Sequence, residues 1–180
     1  MKKINYTWQQ LETDVVKLAL KIAQSDWRPN YIVGVSRGGC VPAVMLSHAL
    51  NIPMKPLQVS LRDHTESVSD CAMAEDAFGY VPHELRGDSV WDQHRAENIL
   101  IVDDINDSGA TFNWIQSDWP SGCLPDDPRW ADVWGRNVRF AVLHNNEASQ
   151  FTDISFTANY INKAENDVWI VYPWEALSQD

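Results

Sequence analysis

Apolar residues in this chain recur with two periods, and the alternation between them predicts the fold. Leu11, Val15, Leu18 and Ile22 fall at helical spacing and make one apolar stripe. The stripe follows a capping box, with Thr7 as N-cap, Gln10 at the third helical position, and Tyr6 and Leu11 placed for a hydrophobic staple. It stops where Asp26, Pro29 and Asn30 interrupt the pattern. Tyr31 to Val35 (YIVGV) then reads as a strand that runs into Ser36, Arg37, Gly38 and Gly39. A helix follows whose early Pro42 is tolerated in a first turn and whose end is marked by Asn51 and Pro53. In Pro56 to Leu61, apolar Leu57, Val59 and Leu61 alternate with Gln58 and Ser60, which predicts a strand with one exposed face or an edge position.

The clearest strand is Ile99 to Val102, four consecutive apolar residues of which three are β-branched. Continuous apolarity is expected where both faces are buried, as in a central parallel strand. A helix is predicted to start at about Ala110. Val138 to Leu143, Asp153 to Tyr160 and Val168 to Tyr172 supply further strands, the last leading into Pro173, Trp174 and Glu175. Helix alternating with buried strand predicts an α/β fold: a mainly parallel sheet, helices on both faces, and one small appended lobe.

Two stretches break this rhythm. Arg62 to Glu97 is polar and irregular, with Asp63, Glu66, Asp70, Glu75 and Asp76 scattered among Ala, Gly and Pro. A loop of that length serves either as a lid over a binding site or as a plain surface insertion. Ser117 to Asn137 reads as a second loop-like insertion anchored by Trp119, Trp130 and Trp134, which seal a core or a subunit contact, the core being the more ordinary use.

Composition narrows the function. A chain of 180 residues suits one domain spanning residues 1–180, able to bury about 70% of its unfolded surface without staples. Cys40, Cys71 and Cys123 are odd in number, far apart and without C-x-x-C pairing, as expected in a reducing cytoplasm. The five histidines show no metal-ligand spacing. MKKINYTW lacks the apolar core of a signal peptide, and no window approaches a membrane span. With 14 basic and 25 acidic residues the formal charge is −11, which disfavours nucleic acid as a partner. A small phosphorylated ligand would need locally concentrated arginine and a divalent cation, which draws attention to Arg37, Asp103 and Asp104.

Asp103 and Asp104 directly follow the central strand, where ligands bind in open α/β sheets, and they suit a hydrated Mg²⁺ or sugar hydroxyls. Asp107, Ser108, Gly109, Ala110 and Thr111 then form a small-residue turn whose amides, with the dipole of the next helix, can cradle one phosphate. The SRGG turn, Ser36 to Gly39, sets a forked donor among glycines that permit close backbone approach, which suits a diphosphate.

The order of strand, two acidic residues, two further residues, then Asp-Ser-Gly-Ala-Thr resembles the PRPP-binding motif of type I phosphoribosyltransferases. YTWQQL near the start, VSRGGCVPA at Val35 to Ala43 and VWIVYPWE at Val168 to Glu175 resemble the bacterial xanthine-guanine branch of that family. The resemblance implies the type I phosphoribosyltransferase fold with a small hood or lid. It also implies transfer of the 5-phosphoribosyl group from PRPP to a 6-oxopurine (xanthine, guanine or hypoxanthine) with Mg²⁺ as cofactor, in a homodimer or homotetramer. By the same resemblance Arg37 and Gly38 bind pyrophosphate. Asp103 and Asp104 approach the ribose hydroxyls and Mg²⁺, with Asp104 the metal residue, and Asp107 to Thr111 hold the 5-phosphate. Trp169 is then the aromatic platform for the purine, and Ile170 contacts its edge through the backbone. Asp107 is the expected catalytic group, as general base or hydrogen-bond acceptor at the purine imidazole.

The pattern departs in one place. Where the family supplies a lysine to the exocyclic oxygen of the base, this chain has His144, Asn145 and Asn146, and Asn146 aligns best with that position. Asparagine lacks a fixed charge, so base choice and turnover are expected to differ. Arg62, Arg86 and Arg95 are candidates for a lid-side basic residue. A PRPP- or nucleotide-sensing regulator with little catalysis is the second reading. A phosphoaspartate receiver built on Asp103 and Asp104 leaves the SRGG and WIVYPWE segments unexplained.

Overall fold

In the computed structural model, which describes residues 2–59, 71–81, 84, 87 and 90–175, the strands form two parallel sheets of five and two members. The elements in chain order are β1 (Lys2–Asn5), α1 (Trp8–Gln24), β2 (Tyr31–Ser36), α2 (Cys40–Leu50), β3 (Met54–Gln58), α3 (Cys71–Phe78) and β4 (Ile99–Asn106). After them come α4 (Ala110–Gly122), β5 (Val138–Asn146), β6 (Ile154–Ile161) and β7 (Val168–Val171). Short 3₁₀ turns cover Pro128–Asp132 and Pro173–Glu175. The large sheet has the order β3-β2-β4-β5-β6 with every pair parallel, and β1 pairs with β7 in the small one.

Local sequence explains most boundaries. The Thr7 hydroxyl accepts the Gln10 N–H at 3.2 Å and the Gln10 side chain accepts the Thr7 N–H at 2.8 Å, so the capping box closes α1 as predicted. Leu11, Val15, Leu18 and Ile22 are all buried. α2 ends at Asn51, which adopts the left-handed conformation (φ 53°). β4 lies between β2 and β5, with Ile99 to Val102 fully buried, and β3 is an edge strand as its alternation suggested.

Because successive strand residues point to opposite faces, each buried strand feeds two cores. Ile32, Leu100, Val102, Ala141 and Leu143 pack with α1 and α2 on one face. Val33, Ile99, Ile101, Phe140 and Val142 pack with α3 and α4 on the other.

Four boundaries differ from expectation. Cys71–Phe78, inside the segment read as an irregular excursion, is a helix burying Met73, Ala74, Ala77 and Phe78, a stripe too short to stand out among polar neighbours. Of that reading, Arg62 to Asp70 and positions 82–83, 85–86 and 88–89 lie outside the described residues, while Tyr80 and Trp91 form an isolated antiparallel bridge after the helix. The Trp-rich insertion begins inside α4, which continues to Gly122 with Pro120 in its last turn. β5 runs on to Asn146, because its polar end stays paired with β4 and β6. β1, four exposed residues, carries no strand signal and forms only because β7 offers an edge.

The insertion tryptophans belong to the core. Trp119 is completely buried, Trp130 nearly so, and Trp134 stacks on Trp130 and Phe140 at centroid distances of 5.7 and 6.2 Å. The indole N–H of Trp119 has no partner among the described residues. Trp119→Ala is therefore expected to cost about 3–5 kcal/mol, and Trp119→Phe distinctly less, in urea unfolding followed by circular dichroism.

Candidate active site

The C-terminal ends of β2, β4 and β5 bring the predicted chemistry together. The turn after β2 carries exposed Arg37, joined to Ser36 by a cis peptide bond, and then Gly38 and Gly39. A Cβ on Gly38 would lie 2.0 Å from Oδ2 of Asp104, and one on Gly39 would lie 2.4 Å from the Val102 carbonyl and 2.7 Å from the Asp103 Cα. A Cβ at Gly39 would run into backbone, and one at Gly38 would displace the Asp104 carboxylate. The SRGG turn is thus pressed against the acidic end of β4, which makes the two segments one surface.

Burial dominates the electrostatics of the acidic pair. The Asp103 carboxylate accepts the N–H groups of Gly39 and of Asp104, the latter at 2.9 Å, yet desolvation and the neighbouring Asp104 hold its pKa well above the usual carboxylate range. Burial likewise pushes Asp104 up to about 6, with Glu175 adding to the rise and hydrogen bonds opposing it. The Asp104 carbonyl accepts the Tyr172 hydroxyl at 3.1 Å, and Tyr172 lies 2.9 Å from His144 Nδ1. Since the only hydroxyl proton of Tyr172 goes to a carbonyl, His144 Nδ1 is the donor in that pair. Burial lowers the His144 pKa to about 4, so the ring is neutral at pH 7. Tyr172 and His144 brace the backbone at Asp104, and Glu175 accepts the Tyr172 N–H at 2.9 Å, contacts that only the packing reveals.

The turn after β4 has the form expected of a phosphate cradle. Gly109 takes φ +88°, and a Cβ there would lie 2.5 Å from the Phe151 N. The Ala110 N–H donates to the Ser108 hydroxyl at 3.3 Å, and α4 begins with neither a side-chain cap from Gly109 nor an acidic residue in its first turn. Its terminal amides and dipole favour an anion beside Ser108, Ala110 and Thr111.

Asp107 is held from two sides. Asn146 donates its amide to the Asp107 carbonyl at 3.0 Å and more weakly to the carboxylate at 3.4 Å, while its own oxygen accepts the N–H groups of Ala148 and Lys163. Asn146 is therefore committed within the protein, 7% exposed. Lys163 forms an ion pair with Asp107 at 2.8 Å and places its ammonium 5.6 Å from the centroid of the Trp169 ring. Trp169 is 36% exposed, whereas Ile170, the next residue of β7, is buried. Lys163 went unnoticed in the sequence because a lysine in the polar NKAEN connection has no pattern to mark it. Arg95 precedes β4 and sits at the strand end opposite the acidic pair; Arg62 and Arg86 lie outside the described residues.

A hollow of about 480 Å³ lies against Tyr6, Asp14, His144, Asn159 and Ile170. None of the phosphate-turn residues lines it. A site made of backbone amides at open strand ends needs no enclosed void, so the chemistry rather than the volume locates it. Among the described residues no cluster of three His, Cys, Asp or Glu could cage a metal. A hard cation that keeps its water and substrate oxygens and takes one or two carboxylates fits the Asp103–Asp104 donors, as Mg²⁺ commonly does.

Glycine turns at the carboxyl ends of the adjacent parallel strands β2 and β4 lie where open α/β sheets bind their ligands. Residues 5–116 match the phosphoribosyl transferase domain family, and the chain belongs to it. It is 27% identical to xanthine-guanine phosphoribosyltransferase of Gluconobacter oxydans over 94% of this chain and 82% of that protein. For the enzyme of that name from Cereibacter sphaeroides the figures are 26%, 99% and 90%. The crystal structure of a purine phosphoribosyltransferase from Pyrococcus horikoshii superposes with a TM-score of 0.65 at 25% identity, covering 100% of this chain and 99% of that one. The architecture is the type I phosphoribosyltransferase fold.

The raised Asp104 pKa has a consequence for stability. A carboxyl that is easier to protonate when folded stabilises the protein at low pH, and that contribution is lost as pH rises from 3.8 through about 6. Asp104→Asn should therefore be more stable than the natural protein at pH 7.5 by about 1–3 kcal/mol, and no more stable below pH ~4. Urea midpoints in the presence of a chelator measure the difference.

Proposed function

We propose that this protein transfers the 5-phosphoribosyl group of PRPP to a 6-oxopurine (xanthine, guanine or hypoxanthine), giving a nucleoside 5-monophosphate and pyrophosphate. The observation that carries the reading is the contact of the SRGG turn with Asp104 at neighbouring strand ends, which supports a diphosphate site beside a phosphate cradle. The names of the relatives agree with this reading.

In this scheme Ser108, Gly109, Ala110 and Thr111 hold the 5-phosphate through amides and hydroxyls, and so fix the ribose. Asp103 and Asp104 face the ribose hydroxyls, and Asp104 would hold a Mg²⁺ ion, which offsets charge on the diphosphate when bound. Arg37 and the Gly38 amide take the diphosphate, stabilising charge that grows on the leaving oxygen as the anomeric carbon becomes oxocarbenium-like. The base lies on Trp169, its edge against the Ile170 backbone, held in line with that carbon. Asp107 takes or shares the imidazole proton of the purine. The three cysteines are free thiols, which agrees with a cytoplasmic setting, and the family resemblance points to a homodimer or homotetramer.

Pyrophosphate release assayed with PRPP, Mg²⁺ and each of xanthine, guanine and hypoxanthine tests the proposal. Release is expected only when base, PRPP and Mg²⁺ are all present; tight PRPP binding with no release for any base would instead make the protein a sensor. Asp107→Asn is expected to lower kcat about 10²–10⁴-fold while changing PRPP affinity far less.

A further inference from the structure

Lys163 occupies a position that neither the phosphate sites nor the acidic pair accounts for. It lies in the β6–β7 connection, with its side chain 19% exposed, and three contacts fix it. Its N–H donates to Asn146 at 3.1 Å, its ammonium pairs with Asp107 at 2.8 Å, and the same ammonium lies 5.6 Å from the Trp169 ring centroid. Two of these contacts tie it to groups that the proposed function places at the base. Trp169 offers a flat surface for a heterocycle, and Asp107 faces the imidazole side of that heterocycle. A cation between them meets the base at the edge bearing N7 and the substituent at C6.

We propose that Lys163 selects the base by donating to the oxygen at C6, so that it, and not Asn146, distinguishes 6-oxopurines from 6-aminopurines. This rests on the purine phosphoribosyltransferase reading of the site. The chemistry is one of complementary donors and acceptors. An ammonium has three donors and no acceptor. A 6-oxopurine presents two adjacent acceptors, O6 and N7, whereas a 6-aminopurine sets a donor beside N7. Lys163 therefore rewards the first and opposes the second. Asn146 cannot take this part because both its amide atoms are engaged, and its acceptance of the Lys163 N–H makes it the support on which the lysine is mounted. As the base settles on Trp169, the ammonium exchanges part of its contact with the ring for the base oxygen while staying within reach of Asp107. Lys163 is thus a specificity-determining residue brought from a different element than the strand end that carries Asn146.

Titration calorimetry of the full chain with GMP, AMP and PRPP, for the natural sequence and for Lys163→Met, tests this without requiring turnover. The natural protein is expected to prefer GMP over AMP. Lys163→Met should lose roughly ten- to hundredfold in GMP affinity with AMP affinity little changed, so that the preference collapses while PRPP still binds. Lys163→Gln is the second variant if the methionine disturbs the connection. Lys3→Met, which removes an exposed cation opposite Trp169 on β1, is the control for general charge and should leave the ratio as it is. A GMP-to-AMP ratio unchanged in a Lys163 variant that binds PRPP, or shifted equally by Lys3→Met, overturns the assignment and leaves the transferase reading standing. A natural protein that binds neither PRPP nor either nucleotide overturns both.

Discussion

The close approach of two glycines to a buried and a half-buried carboxylate is the constraint on which the rest of this molecule depends. Gly38 and Gly39 press against Asp104 and Asp103 so closely that a Cβ on Gly39 would meet backbone and one on Gly38 would displace the Asp104 carboxylate, which ties the ends of β2 and β4 into one surface. Two adjacent carboxylates in a dry site repel each other and resist ionisation, so the fold must hold them there at a loss of stability. The amides of Gly39 and Asp104, which donate to the Asp103 carboxylate, offset part of that loss. An arrangement kept against its own electrostatics is what a site for cations and sugar hydroxyls requires.

The two sheets divide the work. The five-stranded sheet, buried on both faces by α1 and α2 on one side and α3 and α4 on the other, is rigid enough to hold the phosphate turns in register. The β1–β7 ribbon joins the two ends of the chain and presents Trp169 beside the Asp107 turn. Tyr6 and Tyr172, which adjoin β1 and β7, pack edge-on to each other, and both lie against His144 at the end of β5.

Specificity is built on a different footing from phosphate binding. The proposed phosphate sites use backbone amides and glycines, features that leave a plain mark in the sequence. The proposed base site draws on long side chains, Lys163 and Trp169, carried on a connection and a short strand whose sequence has few local constraints. One ammonium can reach the same point in space from several places along the chain, which is why a lysine absent from the end of β5 reappears beside Asp107 from the β6–β7 connection.

What the amino-acid sequence determined by itself was everything set by local stereochemistry or by periodic burial. It contained the capping box of α1, the stop at Asn51, the doubly buried β4, the glycine turns and the acidic pair, because each of these is written within a few neighbouring residues. Tertiary structure alone decided the rest. It alone paired the exposed residues of β1 with β7, recruited Cys71–Phe78 as a core helix and set the tryptophans after Ser117 into the core. It alone raised the Asp104 pKa and carried Lys163 across 56 positions of sequence to Asp107. Burial, desolvation and contacts between distant residues exist only once the chain has closed on itself, so no reading of neighbours along the chain contains them.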